Sequence, residues 1–214
     1  MTSTTDGLRL QPREDRSGPL GHYWFLTFEH APELHALTKT CQQAIDPAYF
    51  EATPVDGLHL TLDRIAFDGA STPEQRASIA ATARRACGDR TPLTLTFKRL
   101  TNLRGAVGFA VSPADQVRDL RETLRAATLS AFPGATVRDS SSVPHVTIAY
   151  PIFEELSARA AATADAMNAS IEGVDVVVSE VVMVALEQRG NLYSWQVAAR
   201  APLRITSEDS PTHP

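Results

Sequence analysis

The chain has 214 residues, of which 43% are hydrophobic and 21% charged, enough apolar material for one large domain or two small lobes. A net charge of −5 argues against a protein that grips long nucleic acid through its phosphates, since that needs a basic surface, but leaves open a single nucleotide or an RNA end. The longest apolar run, Val181 to Leu186, is too short for a membrane span, and the polar first twenty residues lack a signal-peptide core, so a cytoplasmic protein off the membrane is expected.

Residues 1–20 and 204–214 read as disordered tails around a single domain at 21–203; His213 falls in the second tail and reads as solvated. Within the domain, Tyr23 to Glu29 reads as a strand, and Pro32 opens a helix to about Ile45. Leu58 to Phe67 alternates as a strand, and Pro73 to Cys87 is a helix stopped by Gly88. Strands at Leu93 to Leu100 and Ala106 to Val111 precede an amphipathic helix at Pro113 to Leu129, with Val117, Leu120, Leu124 and Ala127 on one side. A strand at Val143 to Tyr150 and a helix at Glu154 to Ala169 follow. Val174 to Leu186 and Leu192 to Ala199 close the domain as a hairpin across Gly190-Asn191. Cys41 and Cys87 fall in predicted helices, form neither a disulfide framework nor a zinc site, and suit a reducing compartment.

The order repeats. A strand, a proline-led helix, a small residue before an aromatic pair or Phe, and a His-x-Thr strand occur twice, with 81 residues between Pro32 and Pro113, 82 between Phe50 and Phe132, and 86 between His59 and His145. The Arg104-Gly105 and Arg189-Gly190 pairs keep nearly the same spacing, 85. Landmarks that hold one offset argue for two β-α-β-α-β units related by a pseudo-two-fold axis, which would face the two His-x-Thr strands across a groove.

Residues two apart on a strand share a face, so His59 sits beside Thr61 and His145 beside Thr147, with Leu60, Leu62, Val146 and Ile148 anchoring the strands behind them. Two imidazoles across a groove suit displacement at phosphorus. A neutral ring takes a proton from the attacking oxygen, and an imidazolium gives one to the departing oxygen. The threonine hydroxyls can donate to the non-bridging oxygens. No metal is required: His22, His30 and His35 lack ligand spacing and neighbouring carboxylates. A bell-shaped pH profile with both limbs near neutrality is expected.

Paired His-x-Thr-apolar motifs in a duplicated α/β chain of this length resemble the two-histidine (2H) phosphoesterase superfamily, in its 2'-5' RNA ligase-like branch. The resemblance covers about Gly21 to Leu203. It implies an α+β, bilobal fold with two mainly antiparallel sheets lining a central cleft and helices outside. It also implies cofactor-free and metal-free chemistry on 2',3'-cyclic phosphates or 2'-5' phosphodiester bonds of nucleotides or RNA ends, by a monomer. His59 and His145 match its catalytic pair, and Thr61 and Thr147 its phosphate-binding hydroxyls. Gly190-Asn191-Leu192-Tyr193 is similar to a Gly-x-x-Tyr segment of the RNA cyclic phosphodiesterase members, which puts Tyr193 beside the cleft. The first motif departs from the family by continuing Asp63-Arg64-Ile65, and with the acidic charge this favours a small cyclic nucleotide or an oligonucleotide end over polymeric RNA. A binding module without turnover, or an enzyme for a non-nucleotide diester, would use the same donors.

Other residues carry two readings each. Arg104 and Arg189 either meet a phosphate or are solvated at their turns. Tyr23, Trp24, Tyr150 and Trp195 either stack a base or fill the core, and strand parity places Tyr150 opposite His145 unless a bulge intervenes. Ser140 to Ser142 reads as a loop rather than a nucleophile elbow, and Arg84, Arg85, Arg118, Arg121 and Arg125 as solvated helix faces.

Overall fold

The computed structural model describes residues 11–13, 17–137 and 143–204. Most of the predicted tails, with His213, and the run Ser140 to Ser142 lie outside them. The elements are β1 (Gly18–Thr27), α1 (Pro32–Gln43), β2 (Phe50–Ala52), a 3₁₀ turn (Val55–Gly57), β3 (His59–Ala66), α2 (Pro73–Cys87) and β4 (Leu93–Leu103). They continue as β5 (Ala106–Ser112), α3 (Ala114–Ala131), β6 (His145–Pro151), α4 (Ser157–Asn168), β7 (Val174–Val178), β8 (Glu180–Arg189) and β9 (Leu192–Pro202).

Two antiparallel sheets result, one ordered β3-β1-β8-β9 and the other β2-β6-β5-β4-β7. This is the α+β class expected, and the repeat is visible in it: β3, β1 and β8 occupy the places that β6, β5 and β4 hold in the other sheet. The third strand of each half has crossed over, however. β4 closes the first half yet pairs with β5 of the second, and β8 of the second pairs with β1 of the first. The turn between β4 and β5 explains the crossing. Arg104 and Gly105 have φ of 55° and 99°, the left-handed pair that a two-residue hairpin requires, and such a turn lays β5 along one edge of β4, leaving the other edge to β7. The predicted strand from Val174 to Leu186 is in fact two, β7 and β8, which part at Ser179 and join different sheets.

Local chemistry supports the helices. Thr72 caps α2 with its hydroxyl accepting from the Gln75 backbone N–H (3.2 Å), while the Gln75 side chain accepts from the Thr72 N–H (2.8 Å), a reciprocal box with Pro73 in the first turn. The stripe Val117, Leu120, Leu124 and Ala127 of α3 is buried as its spacing predicts. Helices α2 and α3 pack on the first sheet, α1 and α4 on the second. A smaller apolar cluster, Phe25, Val182, Val184 and Leu186, covers the opposite face of the first sheet, with Tyr23, Tyr193 and Trp195 against it.

Three expectations change. Gly18 to Leu20 belong to β1 rather than to a tail, because Gly18 and Pro19 pair with Gln188 and Glu187 of β8; Pro12 likewise bridges to Phe153. Of the helix arginines, Arg84, Arg85 and Arg118 are exposed, but Arg121 is buried and Arg125 reaches Asp63 with Nε 2.8 Å from Oδ2. Asp63 is 5% exposed and also accepts from the Arg64 N–H at 3.0 Å, so the departure in the first motif is a buried ion pair tying β3 to α3. Trp24 is fully buried and donates from Nε1 to Thr128 Oγ1 of α3 at 3.0 Å, which settles it as core.

Candidate active site

His59 and His145 are the first residues of β3 and β6. Each ring is tied back to the main chain two residues earlier: His59 Nδ1 lies 3.0 Å from the Gly57 carbonyl oxygen, and His145 Nδ1 lies 2.8 Å from that of Val143. A carbonyl only accepts, so each Nδ1 carries a proton, and a neutral ring then has its lone pair on Nε2. Leu60 and Leu62, and Val146 and Ile148, are buried behind the strands. Both histidines and both threonines, Thr61 and Thr147, line one cavity of about 580 Å³ between the sheets, and Tyr193 lines it too.

The two motifs also share a distortion. Along β3 the register jumps from Thr61 to Asp63 where β1 advances only from Phe25 to Trp24, so Leu62 is an extra residue. Along β6 it jumps from Thr147 to Ala149 against Gly108 and Val107, so Ile148 is extra. Each bulge stands three residues after its histidine and buries two consecutive side chains. It also reverses the parity beyond it, which is why Tyr150 faces the cavity beside Tyr193, ring centres 5.5 Å apart, rather than lying opposite His145. The sequence held one signal for this: Gly108 inside a strand, where a Cβ would collide with the Val146 carbonyl and the Leu103 side chain.

The surroundings of the two rings differ. His59 stacks on Phe25 at 4.4 Å and 15°, meets the edge of Trp195 at 4.8 Å and 67°, and has Tyr193 at 6.4 Å. Burial among these rings pulls its pKa down to about 4; the hydrogen bond to Gly57 opposes this, and the charge of a protonated His145 adds to it. The acid limb of any activity that needs neutral His59 therefore belongs near pH 4, not near neutrality. Burial raises the Tyr150 and Tyr193 phenols, which stay protonated as donors.

The arginine pair separates. Arg104 lines the cavity, whereas Arg189 pairs with Glu187 at 3.1 Å and lines a second hollow with Trp195. The two hairpins explain this: Arg104 is itself a turn residue, but Arg189 is the last residue of β8, one position earlier, and one position reverses a side chain's direction. Tyr23 lines the cavity from β1, and Trp195 backs His59. Sequence reading missed Arg13, Glu154, Gln188 and Asn191, which also line it. Asn191 spans the sheets, donating from Nδ2 to Glu51 Oε2 of β2 at 3.3 Å. Among the described residues no group of three or more His, Cys, Asp or Glu is placed to hold a metal, and Cys41 and Cys87 are buried free thiols.

The profile of the 2'-5' RNA ligase superfamily matches residues 29–190. The TT0787 protein of Thermus thermophilus has a similar fold, with a TM-score of 0.66 at 17% identity over 87% of this chain and 100% of that one. So does E. coli LigT complexed with 3'-AMP, with a TM-score of 0.64 at 17% identity over 88% of this chain and 100% of that one. LigT complexed with NADP+ gives 0.61 at 17% identity over 87% and 99%. No curated protein matches in sequence.

Proposed function

The chain belongs to the 2'-5' RNA ligase superfamily, and from that footing we propose that it is a metal-independent phosphodiesterase acting on 2',3'-cyclic phosphates or 2'-5' linkages of nucleotides or RNA ends. The observation that carries this is the paired geometry: two imidazoles, each with Nδ1 bound to the carbonyl two residues back, line one cavity together with their two threonines. The LigT structures with 3'-AMP and NADP+ support a nucleotide as the ligand class.

His59, held neutral by its aromatic neighbours, takes the proton of the attacking water on Nε2. Its oxygen bonds to phosphorus as one ribose oxygen leaves, and His145 as imidazolium gives that oxygen a proton; the product is a phosphomonoester. With a 2'-5' linkage the neighbouring 3'-hydroxyl attacks in place of water and the 5' oxygen receives the proton. Two charged rings facing one phosphate would repel each other, so one neutral and one protonated partner is the favoured starting state. Thr61 and Thr147 donate to the non-bridging oxygens, where charge grows in the transition state, and Tyr193 flanks the nucleoside.

The test is incubation with 2',3'-cyclic AMP and with 2'-5' diadenylate, followed by chromatography. Conversion of either, lost in both H59A and H145A, is expected. Retention of both substrates intact by a protein that binds 3'-AMP would mark a binding module instead.

A further inference from the structure

We propose that the substrate carries a second phosphate, remote from the bond that reacts, and that Arg13 and Arg104 bind it at the far end of the cleft. This rests on the hydrolase reading above and adds what lies beyond the reacting group.

The segment at residues 11–13 is fastened along the exit of β6 through its main chain. The Arg13 N–H donates to the Ile152 carbonyl at 3.1 Å, the Glu154 N–H donates to the Gln11 carbonyl at 2.8 Å, and Pro12 bridges to Phe153. That pairing fixes where the exposed Arg13 side chain enters the cavity. The segment precedes residues 29–190, so the superfamily match does not account for it. Arg104 approaches the same exit from the β4–β5 turn, where a Cβ on Gly105 would rest 3.6 Å from the Pro151 ring. Pro151 is six residues along β6 from His145, roughly 20 Å at about 3.3 Å per residue. Tyr193 stands between, with its ring 6.4 Å from that of His59 and its phenol in the field of Arg13.

The cavity is thus divided along its length. One end has two imidazoles and two hydroxyls for the reacting phosphate, the middle has tyrosines, and the other end has two guanidiniums. The carboxylates facing that end are Glu154, which lines it, and Glu51, which is engaged by Asn191. A guanidinium matches a phosphate in charge and in the spacing of its donors. The second phosphate is either a terminal 5'-phosphate or the preceding diester of an RNA end.

The experiment compares kcat/KM at low salt for three substrates: adenosine 2',3'-cyclic phosphate, its 5'-phosphorylated form, and the 3'-5' diadenylate ending in a 2',3'-cyclic phosphate. At least one phosphate-extended substrate should exceed the plain one by about tenfold or more, the scale of a hydrogen bond to a charged group. Which one gains identifies the source of the phosphate. R13Q and R104Q should each cut that preference severalfold, chiefly through KM, with unchanged thermal melting. Equal kcat/KM for all three, or a preference that survives in both variants, overturns the inference and leaves the hydrolase reading standing. No turnover of any of the three overturns both.

Discussion

His59 lies against the face of Phe25 and the edge of Trp195, whereas among the described residues no aromatic ring packs on His145. The strands that carry them are otherwise alike. Each starts at its histidine, ties Nδ1 to the carbonyl two residues back, and bulges three residues on. Duplication has therefore kept the backbone that aims the rings, while the neighbours supplied by β1 and β9 have made one ring a poor cation. The residues after the bulge diverge as well: β3 carries Asp63, buried against Arg125, where β6 carries Ala149. Symmetry in the main chain and asymmetry in the packing give two identical side chains different surroundings.

The largest expected effect breaks the pair. H59A and H145A should each lower kcat by about 10²–10⁴ with the far-UV spectrum unchanged. If either variant kept near-full activity, acid–base work by both rings would be untenable. Next comes the ion pair of β3: D63N removes the buried carboxylate while Glu122 stays 3.6 Å from Arg125, and stability in urea should fall by about 1–3 kcal/mol, the usual worth of a hydrogen bond to a charged group. An unchanged midpoint would mean that the pair is solvated in solution.

The cage around His59 predicts two pH effects. Activity should rise as pH climbs through about 4, and W195A, which opens one side of the ring to water, should move that limb up by roughly one pH unit toward the ordinary imidazole value. For stability, the folded state binds fewer protons on His59 than the unfolded chain does between pH 6.5 and about 4, so stability present above pH 6.5 is lost as pH falls through that window. The loss, roughly 2 kcal/mol after allowance for the ring's partial exposure, should be absent in H59Q and so appear in full in the difference between wild type and that variant. A window displaced to higher pH would show that the ring is not shielded. The smallest expected effect is none: turnover should be the same with and without EDTA, and a strict divalent-metal requirement would replace the two-histidine chemistry with another.

Much of this was legible in the residues. His59-x-Thr61 and His145-x-Thr147 each set their two side chains on one face because strand alternation is a local property, the repeat spacing pointed to the cavity they share, and Arg104-Gly105 advertised its hairpin because few residues accept a positive φ. For Tyr150 the sequence leaves two placements open, because a bulge depends on how the partner strand fits, and only Gly108, on another strand, hints at it. Arg13 reads as tail because nothing in its own stretch of sequence shows that the Phe153 segment is there to receive it. Spacing matches Arg189 to Arg104, but a one-residue difference in where each turn begins sends it elsewhere.

The amino-acid order by itself determined which side chains are the candidates for the chemistry, the strands they stand on and the doubling of the unit, since each of these follows from near-neighbour periodicity and spacing. Tertiary structure alone decided which half each third strand joins, which imidazole is shielded from water and which cations reach the cleft. Those depend on pairings between segments far apart in the chain, whose energies no local stretch encodes.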